Sequence, residues 1–371
     1  MSEEITPFLI DVPQAVLDDL HRRLDATRWP DQIPGTDGDY GVPVAYVKRL
    51  ADYWRDGYDW RAQEARLNAH PQFTTEIDGQ NVHFLHVRSA REDALPLMLT
   101  HGWPGSVVEY LDVIGLLTDP PAGEQAFHVV VPSLPGFGFS GPTKERGWNR
   151  FRTAKAWAEL MRRLGYDRYG TAGNDAGSLV APEQGRIDPE HVVGVHVTQI
   201  YSFPSGDPAE FAKITPEDQE ALKVLSWFRD NKMAFSTLHA QQPQTLSYAI
   251  TDSPAGLLGW HAQLLGEDLD PDFVLTNVML YWLTGTATSA TRFYYEDAKA
   301  EAPAGPTTAP IGVAMFRGDF VSMRTFAERD HTNITSWHAF DEPAGHYAAH
   351  LAPEVLVQDL RDFFRGDHNF R

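Results

Sequence analysis

Gly170-Thr171-Ala172-Gly173-Asn174-Asp175-Ala176-Gly177-Ser178 is the stretch whose reading decides the fold. Before it, Tyr166-Asp167-Arg168-Tyr169 reads as the start of a short strand; after it, Leu179 to Arg186 reads as a helix that Ile187-Asp188-Pro189 breaks. A small-X-acid-X-small run between a strand and a helix permits a very tight turn, because glycines at 173 and 177 let two backbones approach closely. Such a turn lifts the central side chain off the sheet edge and into a cleft, which makes Asp175 a candidate nucleophile. The same residues also suit a glycine-rich loop with a capping aspartate. The rest of the chain has to decide between the two.

On either side of this stretch, short apolar strands alternate with helices. Phe73 to Ile77 and Val82 to Val87 around Asp78-Gly79 give a hairpin pattern. Strands follow at Leu95 to Thr100 and Phe127 to Val131, with a helix from Ser106 to Leu117 between them. Helix Arg152 to Leu164 leads to the strand before Asp175, and Val192 to Ile200 is a further strand. Continuous apolar strands alternating with helices predict an α/β core, a mostly parallel sheet covered on both faces.

The alternation stops at Tyr201 and resumes at Pro310, with strands Ile311 to Phe316 and Ile334 to Phe340 and a closing helix Pro353 to Phe364. Between them lies a helical segment broken by Pro204, Pro216 and Pro254 and rich in aromatics, among them Trp227, Phe235, Trp260 and Tyr294. An aromatic insertion between two sheet strands reads as a lid over the carboxyl edge, where open α/β sheets bind ligands. Ahead of the core, a helical arm is expected, with one helix from Pro13 carrying Val16, Leu17, Leu20 and Leu24 and another from Pro43 to about Trp54. The expected units are the arm at 1–72, core at 73–200, lid at 201–309 and core again at 310–371.

Composition narrows the chemistry. The 371 residues carry a formal net charge of -20 and no cysteine. That charge disfavours nucleic-acid phosphates and anionic membranes as partners. The missing cysteines exclude disulfides and thiolate catalysis. Met1-Ser2-Glu3-Glu4 is followed by no long apolar run, so the expectation is a cytoplasmic chain without signal peptide or membrane anchor.

Two further candidates stand at strand ends. Arg317-Gly318-Asp319 follows the strand Ile311 to Phe316, and Gly345-His346-Tyr347 follows Ile334 to Phe340. A nucleophile, an orienting acid and a histidine base at three strand ends can converge in space. His101-Gly102-Trp103-Pro104-Gly105-Ser106 bends the chain so that the backbone N–H groups of Trp103 and Ala176 can form an oxyanion hole. His101 itself is assigned to bracing that loop.

With these pieces in place the chain resembles the α/β-hydrolase-fold epoxide hydrolases of the microsomal and juvenile-hormone branch. The resemblance rests on Thr27-Arg28-Trp29-Pro30, the His101 to Ser106 loop, the Asp175 turn, Thr291-Arg292-Phe293-Tyr294, Gly345-His346-Tyr347-Ala348-Ala349 and Pro353-Glu354. It implies that Asp175 attacks an epoxide carbon to form an ester, that His346 activates the water which cleaves it, and that Asp319 orients His346. It also implies that Tyr294 donates to the opening oxygen. Phe235 stands where a second lid tyrosine is expected, so Tyr294 acts alone or with Tyr201 or Trp227; Phe235, Trp227 and Tyr201 are taken as substrate-binding. Ala176 replaces the tryptophan frequent in the family, which removes the indole N–H of a halide site.

The expected substrate is a small apolar or aromatic epoxide, with no cofactor, and a homodimer is admitted. Rival readings are a haloalkane-type dehalogenase on the same aspartate and a receptor that binds without turnover. His346 and His350 have helical metal spacing but no evident third ligand, and Asp268, Asp270 and Asp272 read as a solvated acidic turn. Glu328 and Asp341 compete with Asp319 for the orienting role.

Overall fold

Every residue of Tyr169–Gly173 and Val192–Val197 is buried, as unbroken apolar strands covered on both faces require. In the computed structural model, which describes residues 3–36 and 38–365, they are central strands of a single sheet. The first two residues of the acidic N-terminal stretch lie outside the described residues.

The strands are β1 (Thr6–Phe8), β2 (Gln72–Ile77), β3 (Gln80–Val87), β4 (Leu95–Thr100), β5 (Phe127–Pro132), β6 (Tyr169–Gly173), β7 (Val192–Val197), β8 (Ile311–Phe316) and β9 (Ile334–Phe340). Their order is β1-β2-β3-β5-β4-β6-β7-β8-β9. β1, β2, β3 and β5 pair antiparallel, and from β5 to β9 the pairing is parallel. The chain enters the parallel part at β4, lays β5 on one side and β6 on the other, with Thr100 beside Gly173. This reversal of direction opens a crevice at the carboxyl ends of β4 and β6, where ligands bind in open α/β sheets. The loop from His101 and the turn at Asp175 both start there.

Several boundaries shift from the sequence reading. β6 begins only at Tyr169, and the helix after Asp175 starts at once, spanning Ala176–Ile187. The segment after Ser106 is a 3-10 turn, Val107–Tyr110, before helix Leu111–Thr118. In the lid, Pro216 and Pro254 begin helices rather than break them, as do Pro208, Pro243 and Pro271. A first-turn proline forfeits no helical hydrogen bond, so it starts a helix at no cost.

The arm is not purely helical, which corrects the expectation. Thr6–Phe8 pairs with Gln72–Thr74 as an edge strand, three residues with a central proline that an edge tolerates. A third helix, Trp60–Asn68, is capped by Asp59, whose side chain accepts from the Ala62 N–H at 3.2 Å. The apolar face of the arm is covered by the lid. Helix Gln14–Asp25 packs on lid helix Pro254–Leu265, and helix Val44–Asp56 packs on that helix and on Pro271–Thr284. Tyr46 donates to the Gly266 carbonyl, Tyr53 to Asp272 at 2.7 Å, and Arg49 pairs with Glu267 at 2.8 Å.

Leu20 is 1% exposed on the face the arm turns inward. Leu20→Ala is expected to lower stability by about 2–5 kcal/mol, read as an earlier denaturation midpoint.

Candidate active site

The turn at Asp175 is a strained one. Asp175 holds φ 51° and ψ -118° between the last residue of β6 and the first turn of helix Ala176–Ile187. A non-glycine residue there costs on the order of 1–3 kcal/mol and needs the surroundings to enforce it. A Cβ on Gly173 would lie 2.2 Å from the Gly177 backbone, and one on Gly177 would lie 1.8 Å from the Thr100 oxygen. Strand, turn and helix are therefore in contact along their backbones. The Asp175 N–H donates to Gln199 Oε1 at 2.9 Å, which fixes the turn from the side of β7.

The carboxyl that this turn presents is received by the loop after β4. The Trp103 N–H donates to Asp175 Oδ1 at 2.9 Å, and the Ala176 N–H faces the same carboxyl. A Cβ on Gly102 would sit 2.0 Å from Oδ1. The N–H groups of Trp103 and Ala176 thus both face the carboxyl of the aspartate itself. His101 braces the loop: its Nδ1 lies 3.0 Å from the Gly102 carbonyl, and its Nε2 accepts from the Leu134 N–H at 3.3 Å. Burial lowers its pKa to about 4, so it is neutral.

His346 comes from the loop after β9 and Asp319 from the end of β8. His346 Nδ1 is 3.2 Å from each Asp319 oxygen, and its Nε2 is 3.9 Å from Asp175 Oδ2. The three side chains keep 26%, 15% and 19% exposure respectively, so the cleft reaches them. Of the competing acids, Glu328 pairs with Arg324 at 2.8 Å on the surface, and Asp341 is exposed. His350 bonds Asp112 at 2.6 Å, and the Asp270 side chain caps the helix that begins at Pro271.

Three polar residues that sequence reasoning passed over tie the site together. Gln199 is fully buried; its Oε1 accepts from the Asp175 N–H and its Nε2 donates to Asp319. Asn174 Nδ2 donates to Glu109 Oε1 at 2.6 Å and to the His346 carbonyl at 2.8 Å, while its Oδ1 accepts from the Thr198 hydroxyl at 2.8 Å. Glu109 is buried in the turn after Ser106. The available signal was a lone acid inside Ser106-Val107-Val108-Glu109-Tyr110-Leu111.

A helix N-terminus favours an ionised carboxylate beside it, yet burial raises the pKa of Asp175, against the lowering by His346 and the two N–H groups. Burial also pushes Glu109 up to about 8, with Asp175 and Asp319 adding to it and His346 and Asn174 opposing. For His346, burial works downward but Asp319, Asp175 and Glu109 prevail and hold it at about 9. Burial works upward on Asp319, and His346 prevails to hold it below its ordinary value.

Over the cleft, the lid presents aromatic rings. Phe235 lies flat on Trp103 with centroids 5.3 Å apart, and Tyr294 meets both edge-on at 6.1 and 6.3 Å. The Trp260 N–H donates to His239 Nε2 at 2.9 Å behind them. The Tyr201 hydroxyl donates to Gln199 Oε1 at 3.2 Å beside Asp175, and its ring stacks on Phe320. Trp227 does not join the site, which corrects its assignment as substrate-binding. Helix Pro216–Asn231 packs through Ala221, Leu222 and Leu225 on Met323 and Phe326, a small core of its own. Trp227 falls on the opposite side of that helix and stands 56% exposed.

Comparison with known proteins supplies the family. Residues 5–110 match the family described as "Epoxide hydrolase N terminus", and residues 95–251 match "alpha/beta hydrolase fold". A putative epoxide hydrolase of Stigmatella aurantiaca is 43% identical over 97% of this chain and 85% of its own length. The chain belongs to the epoxide hydrolase family. Epoxide hydrolase 1 of Sus scrofa is 30% identical over 97% of this chain and 88% of its own. Among solved structures, the Aspergillus niger epoxide hydrolase mutant superposes with TM-score 0.88 at 30% identity, covering 98% of this chain and 96% of that one. The juvenile hormone epoxide hydrolase of Bombyx mori gives TM-score 0.90 at 25% identity, covering 99% and 95%. The family's α/β-hydrolase fold is the one described above. No helix among the described residues is long and apolar enough to cross a membrane.

The buried acid next to the site has a thermodynamic consequence. Glu109 keeps its proton when folded up to about pH 8, against a reference of 4.5. Its contribution to stability is full below the lower value and is lost as pH rises through the higher one. Glu109→Gln, neutral at every pH, is expected to show a smaller fall in melting temperature between about pH 6 and about pH 9 than the parent; an identical fall in both proteins would show that Glu109 does not titrate in this window.

Proposed function

We propose that the chain hydrolyses an epoxide to a vicinal diol through an ester on Asp175. The observation that carries this reading is the carboxylate at the strained turn, held by the Trp103 N–H, with His346 Nε2 3.9 Å away. That separation is too long for a direct hydrogen bond. It suits a histidine that acts on a water rather than on the nucleophile. A carboxylate attacks a strained saturated carbon without prior deprotonation.

In the first step Asp175 Oδ bonds to an epoxide carbon, the ring C–O bond breaks, and the oxygen takes the proton of the Tyr294 hydroxyl. Burial, followed by the charge of Asp175, holds that phenol well above its ordinary pKa. Tyr294 therefore donates to an alkoxide and is reprotonated by the His346 imidazolium. Esterification also removes the charge 3.9 Å from His346, worth on the order of 4 kcal/mol at an effective dielectric of about 20. The imidazolium is thus stabilised before the first step and released to act as a base after it.

In the second step His346 takes a proton from water, hydroxide adds to the ester carbonyl, and the resulting oxyanion sits on the Trp103 and Ala176 N–H groups. The alkyl oxygen leaves with the proton of the new carboxyl, which regenerates Asp175 and the diol. Asp319 holds the tautomer and stabilises the imidazolium. The wall of Trp103, Phe235 and Tyr294 favours a small apolar or aromatic epoxide. Ala176 has no side-chain donor for a departing halide, which disfavours dehalogenation.

One turnover in heavy-oxygen water, followed by a second in ordinary water, tests the ester. Label is expected in Asp175 after the first turnover and in the diol after the second; label passing straight into the first diol would sink the covalent reading. Asp175→Ala is expected to abolish turnover, His346→Gln to accumulate the ester, and Tyr294→Phe to slow ester formation about 10–100-fold. Those rates are read by stopped-flow tryptophan fluorescence, since Trp103 touches the nucleophile.

A further inference from the structure

Ester hydrolysis requires a water held within reach of His346, and two polar atoms beside that residue have no partner. Glu109 is 1% exposed; its Oε1 is taken by Asn174, and its Oε2 has no hydrogen-bond partner among the described residues. The Tyr347 hydroxyl is likewise buried and unpartnered among the described residues, on a ring whose centroid is 5.1 Å from that of His346. Both side chains close on Gly105, where an added Cβ would lie 2.8 Å from Glu109 Oε2 and 3.6 Å from Tyr347 Cε1. A buried polar group left unpaired is costly, so two such groups side by side call for a third polar group between them.

The surroundings link this pair to the chemistry. Asn174, next to the nucleophile, donates to both Glu109 and the His346 carbonyl. The charges acting on Glu109 are His346, Asp175 and Asp319, and the phenols of Tyr110, Tyr281 and Tyr347 in turn feel its charge.

We propose that Glu109 and Tyr347 hold the water that hydrolyses the Asp175 ester and turn it toward His346. The proposal rests on the covalent reading above. The water is hydrogen-bonded to Glu109 Oε2, and one of its protons passes to His346 Nε2 as the oxygen bonds to the ester carbonyl carbon. The bond from that carbon to the alkyl oxygen then breaks, and the alkyl oxygen takes the proton of the new Asp175 carboxyl. Glu109 is a positioning residue for the second half-reaction and takes no part in the first.

Glu109→Gln and Tyr347→Phe each keep the size of the side chain, and single turnover of styrene oxide resolves formation and decay of the ester. Decay is expected to slow about tenfold in Glu109→Gln and about threefold in Tyr347→Phe, with formation within about twofold of the parent in both. The lower plateau of the decay rate is expected at every pH. A shifted pH midpoint with an unchanged plateau would show that Glu109 acts only through the charge on His346, and would overturn the proposal. Equal slowing of both steps would show a packing role and overturn it as well. His346→Gln separates the two levels: if it accumulates ester while Glu109→Gln decays normally, this proposal alone falls, and if it forms no ester, the covalent reading falls.

Discussion

Asp175 can hold a positive φ because Gly173 and Gly177 let the end of β6, the following helix and the end of β4 touch backbone to backbone. That contact sets the rest. It fixes where the Asp175 carboxyl emerges, and by bringing β4 against the turn it also fixes where the Trp103 N–H can point. The parallel register of β4 with β6, and of β7 with β8 and β9, then delivers the remaining groups to the same edge. Strain at one residue is sustained by close packing on three sides, as is typical where chemistry demands an exposed and immobile nucleophile.

Around this edge the protein concentrates charge in a nearly closed space. Three acids, Asp175, Asp319 and Glu109, surround one imidazole, and burial alone would neutralise them all. Mutual attraction between His346 and Asp319 outweighs burial for that pair, whereas Glu109 keeps its proton to about 8. The arrangement stores one more proton than a simple triad. Any reaction that cancels the charge on Asp175 redistributes those protons among neighbours already in contact.

The order of Asp175, Asp319 and His346 was legible because each follows an apolar strand and each sits in a short loop with glycine nearby. Such signals are local, and they located the sheet, the lid and the loop at Trp103. What the sequence hid depends on contacts between distant residues. Gln199 and Asn174 are ordinary amides until β6 and β7 lie side by side. Thr6–Phe8 has no periodicity of its own and is a strand only because β2 offers an edge. Trp227 misled because an aromatic in a helix does not reveal which side faces inward; the answer lay in Met323 and Phe326, about a hundred residues on in the chain.

Gln199 gives the site a spacer of fixed length. The oxygen of its amide fixes the backbone of Asp175 and the nitrogen at the same end holds the Asp319 carboxyl, so the distance between the two acids is written in a single uncharged side chain. Both bonds join the loops that follow β6, β7 and β8, and neither is made to a helix of the lid. The lid can therefore diverge without altering the interval between the two acids.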